Sequence, residues 1–199
     1  MAGQIMAWNF KISFPITFTS LEHDKIKFQP LGYDKELTGK EILARHPTGR
    51  EYAHVCSEWK RLPVFTDAKE KIMSMPPIIN SHELGKITEE TKNIFIEATG
   101  THLLTLKKVL NILATTFADM GGEIYAVAIT GSIKTTSPDL SEEKISISLE
   151  NVNKLLGLNL DEKEIKALLN RMNMEYKNQI CLIPPYRTDI LHEVDIIED

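Results

Sequence analysis

Apolar and polar positions change period several times along the chain, and each change predicts an element. Leu103, Leu106, Leu110, Leu113 and Phe117 recur at three- and four-residue spacing, which predicts a helix over 101–119 ended by Gly121-Gly122. Residues 124–129 are continuously apolar and predict a strand buried on both faces. Residues 93–100, Asn-Ile-Phe-Ile-Glu-Ala-Thr-Gly, predict a second buried strand that breaks at Gly100. Further toward the N-terminus, Ile26-Lys27-Phe28 alternates like a strand and stops at Pro30. Thr38-Gly39-Lys40-Glu41 is a capping box opening a short helix before Pro47. Tyr52, Val55, Cys56 and Trp59 mark a second amphipathic helix over 51–59, and Leu62–Phe65 with Ile72-Met73 flank a polar stretch as a hairpin would.

The second half is built from shorter pieces. Residues 131–143 are rich in Ser, Thr and acid and contain Pro138, the composition of a linker or long loop. Ile145, Ile147 and Leu149 alternate as a strand, and a helix over 151–156 is stopped by Gly157. Asp161 and Glu164 form another cap for a helix whose apolar face is Ile165, Leu168, Leu169 and Met172. A strand over 180–183 ends at Pro184-Pro185, and Ile190, Val194 and Ile197 mark the core face of a last helix. Strands and helices mixed in this way predict an α+β chain with helices on a sheet.

With 199 residues the chain has room for one large or two small cores. Its net charge of −5 argues against a surface devoted to nucleic acid, so any RNA contact is local or shared with other subunits. The helix opened by Asp161 sets Glu162 and Glu164 against Lys163, Lys166 and Arg171, which is not the basic recognition helix that DNA binding needs. Cys56 and Cys181 stand far apart with no disulfide framework, as in a reducing, cytoplasmic setting. No apolar run approaches the ~20 residues of a membrane span.

Two polar constellations carry candidate chemistry. Pro76 and Pro77 predict a rigid, extended path after Met75, followed by turn residues Asn80, Ser81 and Gly85. Nearby, Glu97 and Thr99 are two residues apart and share a strand face. Residue types alone leave two readings. Either Ser74, Glu97 and Thr99 line a polar pocket, or Ser74 caps a turn, Glu97 is solvated and Thr99 caps the next helix. Asp195, Glu198 and Asp199, with Asp189 ahead of them, crowd one helix face. A magnesium ion would compensate such crowding, and so would plain solvation of a helix end.

The segments SMPPIINS and TKNIFIEATGT resemble the editing domain of the phenylalanyl-tRNA synthetase beta-subunit family, archaeal/eukaryotic type, and PPYRTDILHEVDIIED resembles a later module of that subunit. The match starts near Ile26-Lys27-Phe28, which divides the chain into an N-terminal extension over 1–20, a mixed-sheet editing domain over 21–135 and a small winged-helix-like module over 136–199. The resemblance implies hydrolysis of tRNA carrying tyrosine in place of phenylalanine. Ser74, Glu97 and Thr99 would be the catalytic pocket and Phe65 a substrate contact. It also implies a magnesium site on the pattern D-x5-D-x2-E-[ED], matched by Asp189, Asp195, Glu198 and Asp199, with Arg187 a structural partner of the acids. The implied partners are tRNA-Phe and a catalytic alpha subunit in an α2β2 assembly that uses ATP, with neither DNA nor membrane. An ionised Glu97 would accept a hydrogen bond from the tyrosine hydroxyl. The family often continues T-G-T-D where this chain has Thr99-Gly100-Thr101-His102, and His102 is expected to be a surface residue. The chain stops at Asp199 inside a helical pattern, which predicts a fragment that does not aminoacylate by itself. Two alternatives stand beside this reading: a non-enzymatic tRNA-binding or docking module with a decayed pocket, and a metal-dependent hydrolase using the terminal carboxylates.

Overall fold

The computed structural model describes residues 5–6, 12–132 and 134–199. It is α+β, as the pattern predicts, and divides into two compact units, Met1–Leu106 and Lys107–Asp199. That division falls some thirty residues before the 135/136 boundary inferred from the linker composition. Much of the 1–20 extension lies outside the described residues, but its last four positions are already part of the main sheet.

In the first unit the elements run β1 (Ile5–Met6), β2 (Thr17–Glu22), β3 (Lys27–Phe28), β4 (Leu37–Thr38), α1 (Gly39–Arg45) and α2 (Pro47–Cys56). They continue with β5 (Arg61–Thr66), β6 (Ile72–Met75), β7 (Ile79–Asn80), α3 (His82–Gly85) and β8 (Glu97–Ala98). The central sheet has the antiparallel order β2-β5-β6-β7. Leu62 and Val64 alternate inward from β5 and pack with Ile26, Ile42, Met75 and Ile78 into the main core. Thr38 caps α1 as expected: its Oγ1 accepts from Glu41 N while Glu41 Oε2 accepts from Thr38 N.

Several expectations change here. The second helix ends at Cys56, so its core face is Tyr52, Ala53 and Cys56, while Val55 and Trp59 are exposed. After Met75 the chain turns instead of extending: Ile78 N donates to Met75 O across a cis Pro76–Pro77 peptide, closing β6 onto β7. Residues 93–96 form no strand. Only Glu97–Ala98 pairs, antiparallel to Ile5–Met6, so the buried ladder foreseen over 93–100 shrinks to two residues.

Helix α4 (Leu103–Asp119) crosses into the second unit. There follow β9 (Val127–Ile129), β10 (Thr135–Ser137), β11 (Glu143–Ser146), α5 (Leu149–Leu156), α6 (Glu162–Arg171), β12 (Glu175–Lys177), β13 (Ile180–Ile183) and α7 (Glu193–Glu198). The order β11-β13-β12 makes a three-stranded antiparallel sheet covered by α5, α6 and α7 around Val152, Ile165, Leu169, Tyr176, Ile183 and Ile196. Gly157 ends α5 in the left-handed conformation and the Asp161–Glu164 box opens α6, both as the sequence predicts. Strand β12 was not foreseen; Asn178 and Gln179, both at positive φ, turn it tightly onto β13.

Residues 127–129 are a hairpin strand exposed at Ala128 and Ile129, not a doubly buried one, and their partner β10 lies within the stretch expected to be a linker. On α4 the fully buried positions are Asn111 and Ala114, whereas Leu103 and Phe117 are exposed. Asn111 Nδ2 donates to the carbonyls of Asp139 and Pro185, so a polar side chain ties this helix to two loops. Leu168 and Val194 are exposed, and Ile196 takes the core place expected of Val194, because α7 starts three residues later than Ile190.

Helices α1 and α2 meet at Gly49, where an added Cβ would lie 1.9 Å from the Ile42 carbonyl oxygen. Elsewhere in a helix interior, Gly→Ala stabilises by ~1 kcal/mol. Here the sign reverses: Gly49→Ala is expected to destabilise the first unit by ~2 kcal/mol or more. Urea unfolding followed by tryptophan fluorescence checks this, because Trp59 falls within the first unit.

Candidate functional site

The site is organised by a turn. Asp67, 3 % exposed, closes the β5–β6 connection: its Oδ1 accepts from Lys69 N (2.9 Å) and Lys71 N (3.0 Å), and its Oδ2 accepts from Ser13 N (3.3 Å). Glu70 takes a positive φ inside this turn. The pairing it sets is irregular. Phe65 opposes Ser74 and Thr66 opposes Ile72, so Met73 is an extra residue, a bulge. The bulge lets both Met73 and Ser74 be fully buried although they are neighbours in sequence.

Ser74 is flanked across the sheet by Phe65 on β5 and Asn80 on β7. Phe65, with Ile12, Ile16 and Phe95, packs against the buried Met73–Leu84 cluster, and its ring centroid lies 4.7 Å from that of Phe18. Glu97 is 5 % exposed, and neither of its carboxyl oxygens has a hydrogen-bond partner of standard geometry. The Ser74 and Thr99 hydroxyls and Asn80 Oδ1 are likewise buried and unpaired. Burial pushes the Glu97 carboxyl up to about 8, and its interaction with the Ser74 hydroxyl pulls it partly back.

The solvated alternative for Glu97 is therefore overturned, and Ser74 and Thr99 cap nothing. The cap in this region is Ser81, whose Oγ accepts from Leu84 N at the start of α3. The premise that Glu97 is ionised also fails. With a pKa of about 8 the carboxyl holds its proton at neutral pH, because among the described residues no cation or N–H donor offsets its desolvation. A neutral carboxylic acid can donate through its O–H and accept through its carbonyl oxygen, so it suits a hydroxyl partner in either sense. Asn80 is the residue that sequence reasoning used only for its turn chemistry. Its orphaned Oδ1 adds a second acceptor beside Ser74, and only the β6–β7 pairing reveals it. Ser74 links this set, opposite Asn80 in the sheet and interacting with Glu97, and each buried polar group left without a partner is costly. A cleft of the first unit, about 740 Å³, includes Thr66 and Ile72 in its wall but none of Phe65, Ser74, Glu97 or Thr99, and the buried Glu97 carboxyl is closed to solvent. His102 is exposed, as expected, and its ring nitrogen meets Thr105 Oγ1 at 2.8 Å.

The four carboxylates of the second unit are divided among other tasks. Asp189 accepts from Arg187 Nε (2.9 Å) and Nη2 (2.6 Å), which pulls its carboxyl down to about 2. Asp199 pairs with the same guanidinium. Asp195 Oδ2 accepts from the N–H groups of Leu191 and His192 at the start of α7. Glu198 is exposed. Among the described residues no three His, Cys, Asp or Glu side chains gather so as to hold a metal ion. As arranged, these residues do not fit magnesium: one arginine supplies the positive charge to two of them and a third caps a helix.

Comparison with known proteins bears on both units. The tRNA synthetase B5 domain family matches residues 145–199. Phenylalanine–tRNA ligase beta subunits of Thermococcus kodakarensis and Pyrococcus furiosus are 39% and 40% identical over 194 and 195 residues. Each match covers 95% of this chain and 34% or 35% of the relative. The beta subunit of Methanococcus maripaludis is 41% identical over 194 residues. The crystal structure of an N-terminal fragment of the phenylalanyl-tRNA synthetase beta subunit from Pyrococcus horikoshii superposes with a TM-score of 0.93 at 38% identity, covering 98% of this chain and 58% of that one. The chain thus spans about a third of the length of the curated relatives it matches. No helix among the described residues is long and apolar enough to cross a membrane.

The elevated Glu97 pKa has a consequence for stability. The folded unit holds this proton more tightly than the unfolded chain, whose reference value is 4.5, so stability falls as pH rises from about 4.5 to about 8. The full effect is on the order of 3–5 kcal/mol. Glu97→Gln should flatten this slope and leave the first unit more stable than the parent at pH 8, with little difference at pH 4.5. Urea midpoints by tryptophan fluorescence at the two pH values test it; parallel curves for the two proteins would refute the assignment.

Proposed function

This chain is homologous to phenylalanine–tRNA ligase beta subunits, and on that premise we propose that its first unit is a hydrolytic editing site for tyrosyl-tRNA-Phe. The observation that carries the proposal is the buried, unpaired Glu97 carboxyl in company with Ser74, Thr99 and Asn80, set beside the aromatic wall of Phe65. Tyrosine and phenylalanine differ by one hydroxyl, and an apolar synthetic pocket rejects an added hydroxyl only weakly. A second site that leaves polar groups unsatisfied until a hydroxyl arrives discriminates in the opposite sense. Phenylalanine would bury against an unpaired acid, whereas tyrosine would complete it.

Phe65 would stack on the ring of the amino acid, and neutral Glu97 would exchange hydrogen bonds with its hydroxyl. Ser74 and Thr99 would orient the ester or the attacking water. Water adds to the ester carbonyl carbon, the bond to the terminal ribose oxygen breaks, and free tyrosine and deacylated tRNA leave. Substrate entry requires the groups covering Glu97 to move aside, since the carboxyl is closed to solvent. The terminal carboxylates take no part in this step.

The wider assignments follow the relatives. The chain would serve within a beta subunit that binds tRNA-Phe and supports ATP- and magnesium-dependent phenylalanyl-tRNA synthesis by an alpha subunit in an α2β2 assembly. The closed geometry of the Glu97 site favours one other reading, a docking or tRNA-binding module in which this pocket no longer turns over.

Deacylation of tyrosyl-tRNA-Phe, with phenylalanyl-tRNA-Phe as control, separates the two. The parent should release tyrosine selectively, and Glu97→Ala should lower that rate by about tenfold or more, the scale of losing one buried hydrogen bond with its partner left unpaired. Equal rates for parent and variant would remove Glu97 from the mechanism. Silence in both, repeated in an intact beta subunit carrying this sequence, would favour the docking module.

A further inference from the structure

We propose that Arg187 is the built-in counter-cation of the C-terminal carboxylates, occupying at Asp189 and Asp199 the place a divalent cation would otherwise have to fill. The inference is independent of the editing reading, since it concerns the second unit alone.

The geometry is that of a clamp. Arg187 lies just after β13, held in a turn in which its N–H donates to Pro184 O (3.0 Å). Its side chain is mostly covered, 22% exposed, and its Nε and Nη2 fork onto the two oxygens of Asp189. The same Nη2 reaches Asp199 at the far end of α7. The guanidinium thereby joins the segment after the sheet to the last turn of the terminal helix. That helix is docked by Ile196 and Ile197 in the core, with Ile190 just ahead of it also buried there. At its start, Glu193 accepts from Asn151 Nδ2 of α5 (2.9 Å).

The remaining charges leave little room for a second cation. Asp195 is engaged with two backbone N–H groups, so turning it outward would uncap α7. Lys108 acts on Asp189 only through its field and is paired with Glu143 at 3.4 Å. A planar, permanently charged fork suits two carboxylates better than a mobile ammonium. A dication would need the same carboxylate oxygens the fork occupies, and two cations cannot share them without strong repulsion. Clamp and metal therefore exclude one another: a dication can bind Asp189 and Asp199 only by releasing Arg187.

Hydrogen–deuterium exchange of the 190–199 amides, measured on the full chain in EDTA and in millimolar Mg2+, tests this. The parent should show the same protection in both. Arg187→Gln should exchange about tenfold faster over α7 in EDTA, and Mg2+ should restore most of the protection. Adding Asp189→Asn to Arg187→Gln should abolish that rescue. Arg187→Lys, which keeps the charge and the fold but loses the fork, should fall between parent and Arg187→Gln. Protection of the parent that rises with Mg2+ would overturn the proposal. So would an Arg187→Gln variant that exchanges like the parent, or one that Mg2+ leaves unprotected.

Discussion

The first unit depends on the grip of one buried carboxylate on a turn. Asp67 accepts from two N–H groups of its own turn and from a third at Ser13 in the segment before β2, so three backbone donors are satisfied without water. That grip fixes where β6 meets β5, and the register decides everything on the far side of the sheet. With Met73 bulged, Ser74 stands between Phe65 and Asn80. A one-residue slip would exchange the faces of the strand and bury a different side chain in its place.

Asp67 and Glu97 show how differently two buried acids can behave. Both are at most 5 % exposed. Asp67 accepts from a set of backbone N–H donors, whereas among the described residues Glu97 meets none, and burial holds its proton. The first arrangement holds the fold together; the second weakens it as pH rises. A fold tolerates such a cost where the same groups do something else, and the hydroxyl recognition proposed for this site would be such a use.

The second unit satisfies its acids locally. Glu164 and Asp195 are absorbed by helix starts, Glu193 by Asn151, and Asp189 with Asp199 by Arg187. A segment crowded with carboxylates in sequence thus has few free ones in space. Its stability rests on a small apolar core and on end-caps worth ~1 kcal/mol each.

Local rules were legible in the sequence because they act over a few residues. The capping boxes at Thr38 and Asp161, the left-handed stop at Gly157 and the strand before Pro184 needed only neighbouring side chains, and each formed where it was expected. The grouping of Ser74 with Glu97 and Thr99 as one candidate site came only through family resemblance, since no periodicity links β6 to a segment more than twenty residues later. Long-range contact decided the rest. Residues 93–96 are apolar enough for a strand, yet only Glu97–Ala98 found a partner edge, so the ladder stopped there. Leu103 and Phe117 fit a helix face, but the positions that contact placed inside were Asn111 and Ala114. The protonation of Glu97 and the capture of Asp189 by Arg187 were likewise tertiary outcomes. A charge's fate depends on which donors and cations folding brings beside it, and a linear pattern does not carry that information.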